Sequence, residues 1–66
     1  MKAQFAVGLV SRMPEAKKGH NVTMYVQAAT KFQALLAGVR KAKVSHGRID
    51  GVQPVIESHN YICQLG

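Results

Sequence analysis

At 66 residues the chain has room for one domain, and a domain of that size buries only about 60% of the surface its unfolded form exposes, which excludes a thick core and leaves little room to shape a pocket unless the chain oligomerises. Nine Lys and Arg against three acids, Glu15, Asp50 and Glu57, give a formal charge of +6, a field that attracts polyanions and acidic surfaces. The single cysteine, Cys63, excludes an intrachain disulfide, and no apolar run approaches the ~18 residues of a bilayer span.

Met1 to Val10 lacks the arrangement of a secretory signal, so a soluble, cytoplasmic protein is expected. Lys2 to Ser11 alternates, with Ala3, Phe5, Val7 and Leu9 on one face and Gln4, Ala6, Gly8 and Val10 on the other, which predicts a half-buried strand. Arg12 to His20 breaks the period and holds Pro14 and Gly19, which predicts an exposed loop. Asn21 to Gln27 alternates again, setting Val22, Met24 and Val26 opposite Thr23, Tyr25 and Gln27 as a second strand.

Thr30-Lys31-Phe32-Gln33 has the form of a capping box, so a helix is expected to start there. Phe32, Leu35, Leu36 and Val39 recur at i, i+3, i+4 and i+7, and Ala42 continues the stripe, which predicts that this face packs on the sheet. Ser45-His46-Gly47 is a stop. Arg48 to Ile56, interrupted by Gly51 and Pro54, predicts an irregular strand, Glu57 to Asn60 a turn, and Tyr61 to Leu65 a last strand. The expected fold is α+β, an antiparallel sheet of about four strands in the order β-β-α-β-β with one helix packed on one face. The opposite face is left mixed in character and suited to a modest homodimer.

The ingredients of catalysis do not assemble along the chain. His20, His46 and His59 stand at no metal-ligand spacing with one another or with Cys63, Asp50 or Glu57, so no metal is expected. Cys63 sits beside Ile62 and Leu65 and reads as a small core hydrophobe. Asp50 and Glu57 flank Pro54 without paired acid and base geometry, and the glycines form no nucleotide cradle. The expectation is a protein that is not an enzyme and uses no cofactor.

The cations carry more information. Arg12, Lys17 and Lys18 belong to the first loop, while Arg40, Lys41, Lys43, His46 and Arg48 fall within nine positions at the helix exit. Such a cluster neutralises phosphates or acidic side chains, with Tyr25 or Tyr61 available for stacking. The same residues also fit the solvated end of a helix, where cations meet the negative pole of its dipole.

The segment Ala28-Ala29-Thr30-x-x-Gln33-Ala34, the later His46-Gly47, the Met1-Lys2-Ala3 start and the glycine in the first loop together resemble small phage-encoded proteins, particularly a type I-F anti-CRISPR group. That resemblance implies binding to a guide-RNA surveillance complex along its nucleic-acid-handling subunits, without catalysis, in the host cytoplasm. Thr30 and Gln33 are explained as a helix cap, so the resemblance assigns them no contact. The leading expectation is therefore a non-enzymatic binding protein, an inhibitor or modulator docking on a host protein or nucleoprotein complex. A general nucleic-acid binder and a homodimeric structural protein are the alternatives.

Overall fold

A computed structural model describes residues 1–66 as a three-stranded antiparallel sheet with one helix across one face. Strands β1 (Ala3–Arg12) and β2 (His20–Ala28) form a hairpin around the loop at 13–19, helix α1 spans Lys31–Ser45, and β3 (Val55–Gln64) returns along the free side of β1. The sheet order is β2-β1-β3, so the most apolar strand is central and both edges are strands of mixed character. No helix is long and apolar enough to cross a membrane.

The alternation of the first two strands is realised as expected. Phe5, Val7 and Leu9 pair with Val26, Met24 and Val22, placing all six on the helix side, where Phe5, Val7 and Leu9 are almost wholly buried. The N-cap also forms: the Thr30 hydroxyl accepts from the Gln33 N–H at 3.1 Å, an arrangement worth about 1 kcal/mol to a helix. The Gln33 side chain reaches back to the Ala29 N–H (3.2 Å), one residue earlier than a standard box, so two amides at the helix entrance gain acceptors.

Three strands replace the expected four. Arg48 to Gln53 is not a strand but carries a tight turn in which the Gly51 N–H donates to the Arg48 carbonyl (3.0 Å) and the Arg48 N–H donates to the Val52 carbonyl (2.9 Å). Gly51 takes φ +86 there, a conformation open to glycine at little steric cost. Glu57 to Asn60, expected as a turn, lies inside one continuous strand. The pairing runs Gly8↔Tyr61, Leu9↔His59, then Val10↔Ser58, Ser11↔Ile56, so β3 carries one extra residue at each of two bulges. The polar run that suggested a reversal is thus absorbed by bulging.

The helix meets the sheet through small residues. Ala34, Gly38 and Ala42, at i, i+4 and i+8, are its buried positions, and the predicted stripe is turned aside: Leu35 and Val39 are half-buried, while Phe32 is 69% and Leu36 48% exposed. A Cβ built on Gly38 would stand 3.0 Å from both Cβ and Cγ1 of Val7, so the absence of a side chain sets how closely α1 approaches β1. Such an approach suits a thin core, because the sheet supplies its large members, Phe5, Leu9 and Met24. Cys63, expected in the core, is exposed: it pairs with Ala6 and lies on the face away from the helix.

Candidate docking groove

The helix packs most closely on β2, and the helix-side surface of β3 is left partly open. Between them lies a groove of about 440 Å³ lined by Leu9, Leu35, Leu36, Val39 and Ile56, with Arg40, Lys43, Ser58 and His59 completing it. The residues come from opposite walls: Leu35 to Lys43 from successive turns of α1, and Ile56 to His59 from the bulged half of β3. No carboxylate lines it. It is an apolar trough with Arg40 and Lys43 at its margin.

The five candidate cationic positions of the helix exit do not form one patch. Arg40 and Lys43 share the groove. Lys41 projects to the other side, its Nζ donating to the Tyr25 carbonyl at the β2 edge (2.8 Å), where a lysine blocks strand addition. His46 is the C-cap; its backbone N–H donates to the Ala42 carbonyl (3.0 Å) and its ring Nδ1 lies 3.3 Å from the same oxygen. Arg48 pairs with Glu15 and with Asp50 (3.3 Å).

In the first loop, Arg12 acts as a scaffold rather than a free cation. Its Nη1 donates to the carbonyls of Met13, Pro14 and Ala16 (3.3, 3.2 and 3.1 Å), and its Nε meets Glu57 at 3.2 Å. Lys17 and Lys18 are exposed on the loop so braced. Arg12 and Arg48 thus account for all three acids of the chain, and Lys2, Lys17, Lys18, Lys31, Arg40, Lys41 and Lys43 are left without a salt-bridge partner.

The face away from the helix is nearly neutral. Tyr25 (54% exposed) and Tyr61 (46%) stand on the two edge strands, and further along, level with Val10, the Asn60 amide donates to the Asn21 side-chain oxygen (2.9 Å). Tyr25 is therefore well separated in role from Arg40 and Lys43, which open on the helix side. Sequence reasoning missed Leu36, Ile56 and His59 as groove residues. The available signal was the competing Ala34-Gly38-Ala42 ridge, which claims the sheet and turns the larger apolar stripe toward β3.

No family model, no curated protein and no solved structure matches the chain, so the assignment of function rests on the groove and the charges.

Proposed function

We propose that this chain is a non-catalytic binding protein that docks on a partner protein or nucleoprotein of negative surface potential and acts by occupying it. The observation that carries the reading is the pairing of all three side-chain carboxylates with Arg12 and Arg48, which leaves seven cationic side chains without a salt-bridge partner on a body of 66 residues. Those cations lie on several sides of the molecule, an arrangement that steers diffusional encounter, while the apolar groove supplies the local contact that a dispersed field does not. The resemblance to type I-F anti-CRISPR proteins makes a guide-RNA surveillance complex the first partner to test, and the host cytoplasm the setting. General nucleic-acid binding through phosphate contacts is the second reading, favoured by the exposure of Lys17 and Lys18, neither of which is paired with an acid.

The test is a binding measurement with a purified type I-F surveillance complex, and separately with its protein subunits after nuclease treatment. Retention on the nuclease-treated subunits is expected. Binding to neither would remove that partner, and binding that vanishes with the nucleic acid would replace the docking reading with the phosphate one.

A further inference from the structure

We infer that the groove between α1 and β3 receives an acidic amphipathic segment of a partner protein, with apolar side chains on the Leu35, Leu36, Val39 and Ile56 floor and carboxylates against Arg40 and Lys43. The inference rests on the proposed docking function and specifies where that function is exercised.

Three observations select this occupant. The groove floor is aliphatic, whereas a nucleic-acid strand needs aromatic faces for its bases and cations along its backbone, and both tyrosines stand on other parts of the sheet. Phe32, one helical turn before Leu36, lies on the same stripe outside the groove, and from it to Lys43 the helix rises about 16 Å, roughly three turns, so the apolar positions end on a cation. The margin carries two cations, Arg40 and Lys43, and no acid stands among the lining residues, so an acidic segment meets complementary charge on entry.

A second copy of this chain fits less well. A two-fold contact through the groove brings Arg40 and Lys43 toward their own copies, and each copy's three carboxylates are already engaged by Arg12 and Arg48. The bulges at Glu57 and Asn60 also interrupt the outer edge of β3, which disfavours an added strand over a segment lying in the groove.

The experiment titrates the ¹⁵N-labelled full chain with three probes. The first is a helical peptide of about 15 residues with Leu at i, i+3, i+4 and i+7 and Glu elsewhere; the second replaces Glu by Lys, and the third is an oligothymidylate of similar length. Saturable shifts of the Leu36, Val39, Arg40, Lys43, Ile56 and His59 amides are expected with the Leu/Glu peptide alone. The paired substitution Arg40→Glu with Lys43→Glu, and separately Leu36→Glu, should weaken that binding about tenfold or more, whereas the charge-matched control Lys17→Glu with Lys18→Glu should change it about threefold or less. All three alter exposed or half-buried side chains, and circular dichroism checks that each variant folds.

Absence of saturable binding, shifts confined to other surfaces, equal response to the Leu/Lys peptide, or the same amides moving with oligothymidylate would each overturn the assignment. A concentration-dependent dimer using the same amides would do so as well. Failure here is distinguishable from failure of the docking reading: a surveillance complex that retains the Arg40→Glu, Lys43→Glu variant undiminished leaves docking intact and removes only the groove.

Discussion

The ring of Tyr61 lies across Gly8, and its hydroxyl sits 3.0 Å from the Thr23 Oγ1, so one side chain of β3 spans the central strand and hydrogen-bonds to β2. A Cβ on Gly8 would stand 2.6 Å from Cδ1 and 2.8 Å from Cζ of that ring. The glycine is therefore the floor on which the tyrosine rests, and on the uncovered face this contact does what the helix does on the other.

Gly8→Ala should lift the ring and break the bridge to Thr23, destabilising the fold by about 1–3 kcal/mol, the usual range for overpacking. Tyr61→Phe should cost only about 0.5 kcal/mol, because the hydroxyl pair is exposed to water. In the double variant Gly8→Ala with Tyr61→Ala, the clash is gone, so the two losses should be less than additive. Urea denaturation of the parent, Gly8→Ala, Tyr61→Ala and the double variant checks the cycle, and additive losses would separate Gly8 from Tyr61.

Gly38 sets two effects against each other. Alanine at a helix interior is favoured over glycine by about 1 kcal/mol. Against it stand contacts at 3.0 Å with Val7, a branched side chain with no exposed surface on the central strand, which cannot swing aside as a flexible chain end would. Packing should win: Gly38→Ala should destabilise by about 0.5–1.5 kcal/mol, and Gly38→Leu by over ~3 kcal/mol. Adding Val7→Ala to Gly38→Ala should restore helix packing but lose buried methyls; a coupling energy near zero by denaturation would show that the approach of α1 is set elsewhere.

These two glycines also mark where the sequence was legible and where it was not. Alternation of period two placed Phe5, Val7, Leu9, Met24 and Val26 correctly, because a strand with one covered face has a single way to bury them. The helix boundaries were legible from Thr30, Gln33 and His46-Gly47, whose capping chemistry is local. The orientation of the helix was not, because hydrophobic periodicity weights Phe32 and Leu36 above Ala34 and Gly38, while a close approach to Val7 selects the small residues. The strand count failed at Glu57 to Asn60 since bulge and turn draw on the same polar residues and are told apart only by pairing with Val10 and Ser11. Cys63 was misplaced because nothing in Tyr61 to Leu65 declares which alternate residues face the helix. The groove was legible in part: Arg40 and Lys43 stood out by charge, but their separation from Lys41 and Arg48 depends on helical angle and on the positions of Glu15 and Asp50.

Arg12 should prove more structural than electrostatic. Its guanidinium gathers the Met13, Pro14 and Ala16 carbonyls and Glu57, a geometry that a lysine ammonium does not reproduce. Arg12→Lys should leave the sheet intact and loosen the loop at 13–19, so that trypsin cuts after Lys17 or Lys18 several times faster than in the parent. Unchanged cleavage kinetics in limited proteolysis would show that the loop holds its shape without the guanidinium.

Cys63 should react in the folded protein. It is exposed, and its thiol donates to the Gln64 carbonyl at 3.8 Å, so packing does not bar a reagent from it. Alkylation by iodoacetamide should proceed within about threefold of the rate in denaturant, whereas a thiol shielded by packing or by a dimer through the uncovered face would be slowed far more. The same rate measured across protein concentration therefore reports on self-association as well as on the strand's orientation.

Salt response separates the two readings of the charge. A chain that binds nucleic acid through Z phosphate contacts loses affinity with a logarithmic slope of about −0.9Z on duplex DNA and about −0.7Z on single strands. If Lys17, Lys18, Arg40 and Lys43 made such contacts, removing any pair of them would flatten the duplex slope by about 2, whichever pair was removed, because counterion release counts charges and ignores their setting. Docking of an acidic segment in the groove predicts unequal pairs. Arg40→Gln with Lys43→Gln should lower affinity for the protein partner at every salt concentration, while Lys17→Gln with Lys18→Gln should slow association at low salt and fade as screening shortens to about 8 Å at physiological strength. Association and dissociation rates across a salt series decide it: equal effects of the two pairs on a nucleic-acid ligand favour the phosphate reading, and a dissociation rate raised only by the Arg40 and Lys43 pair on a protein ligand favours the groove.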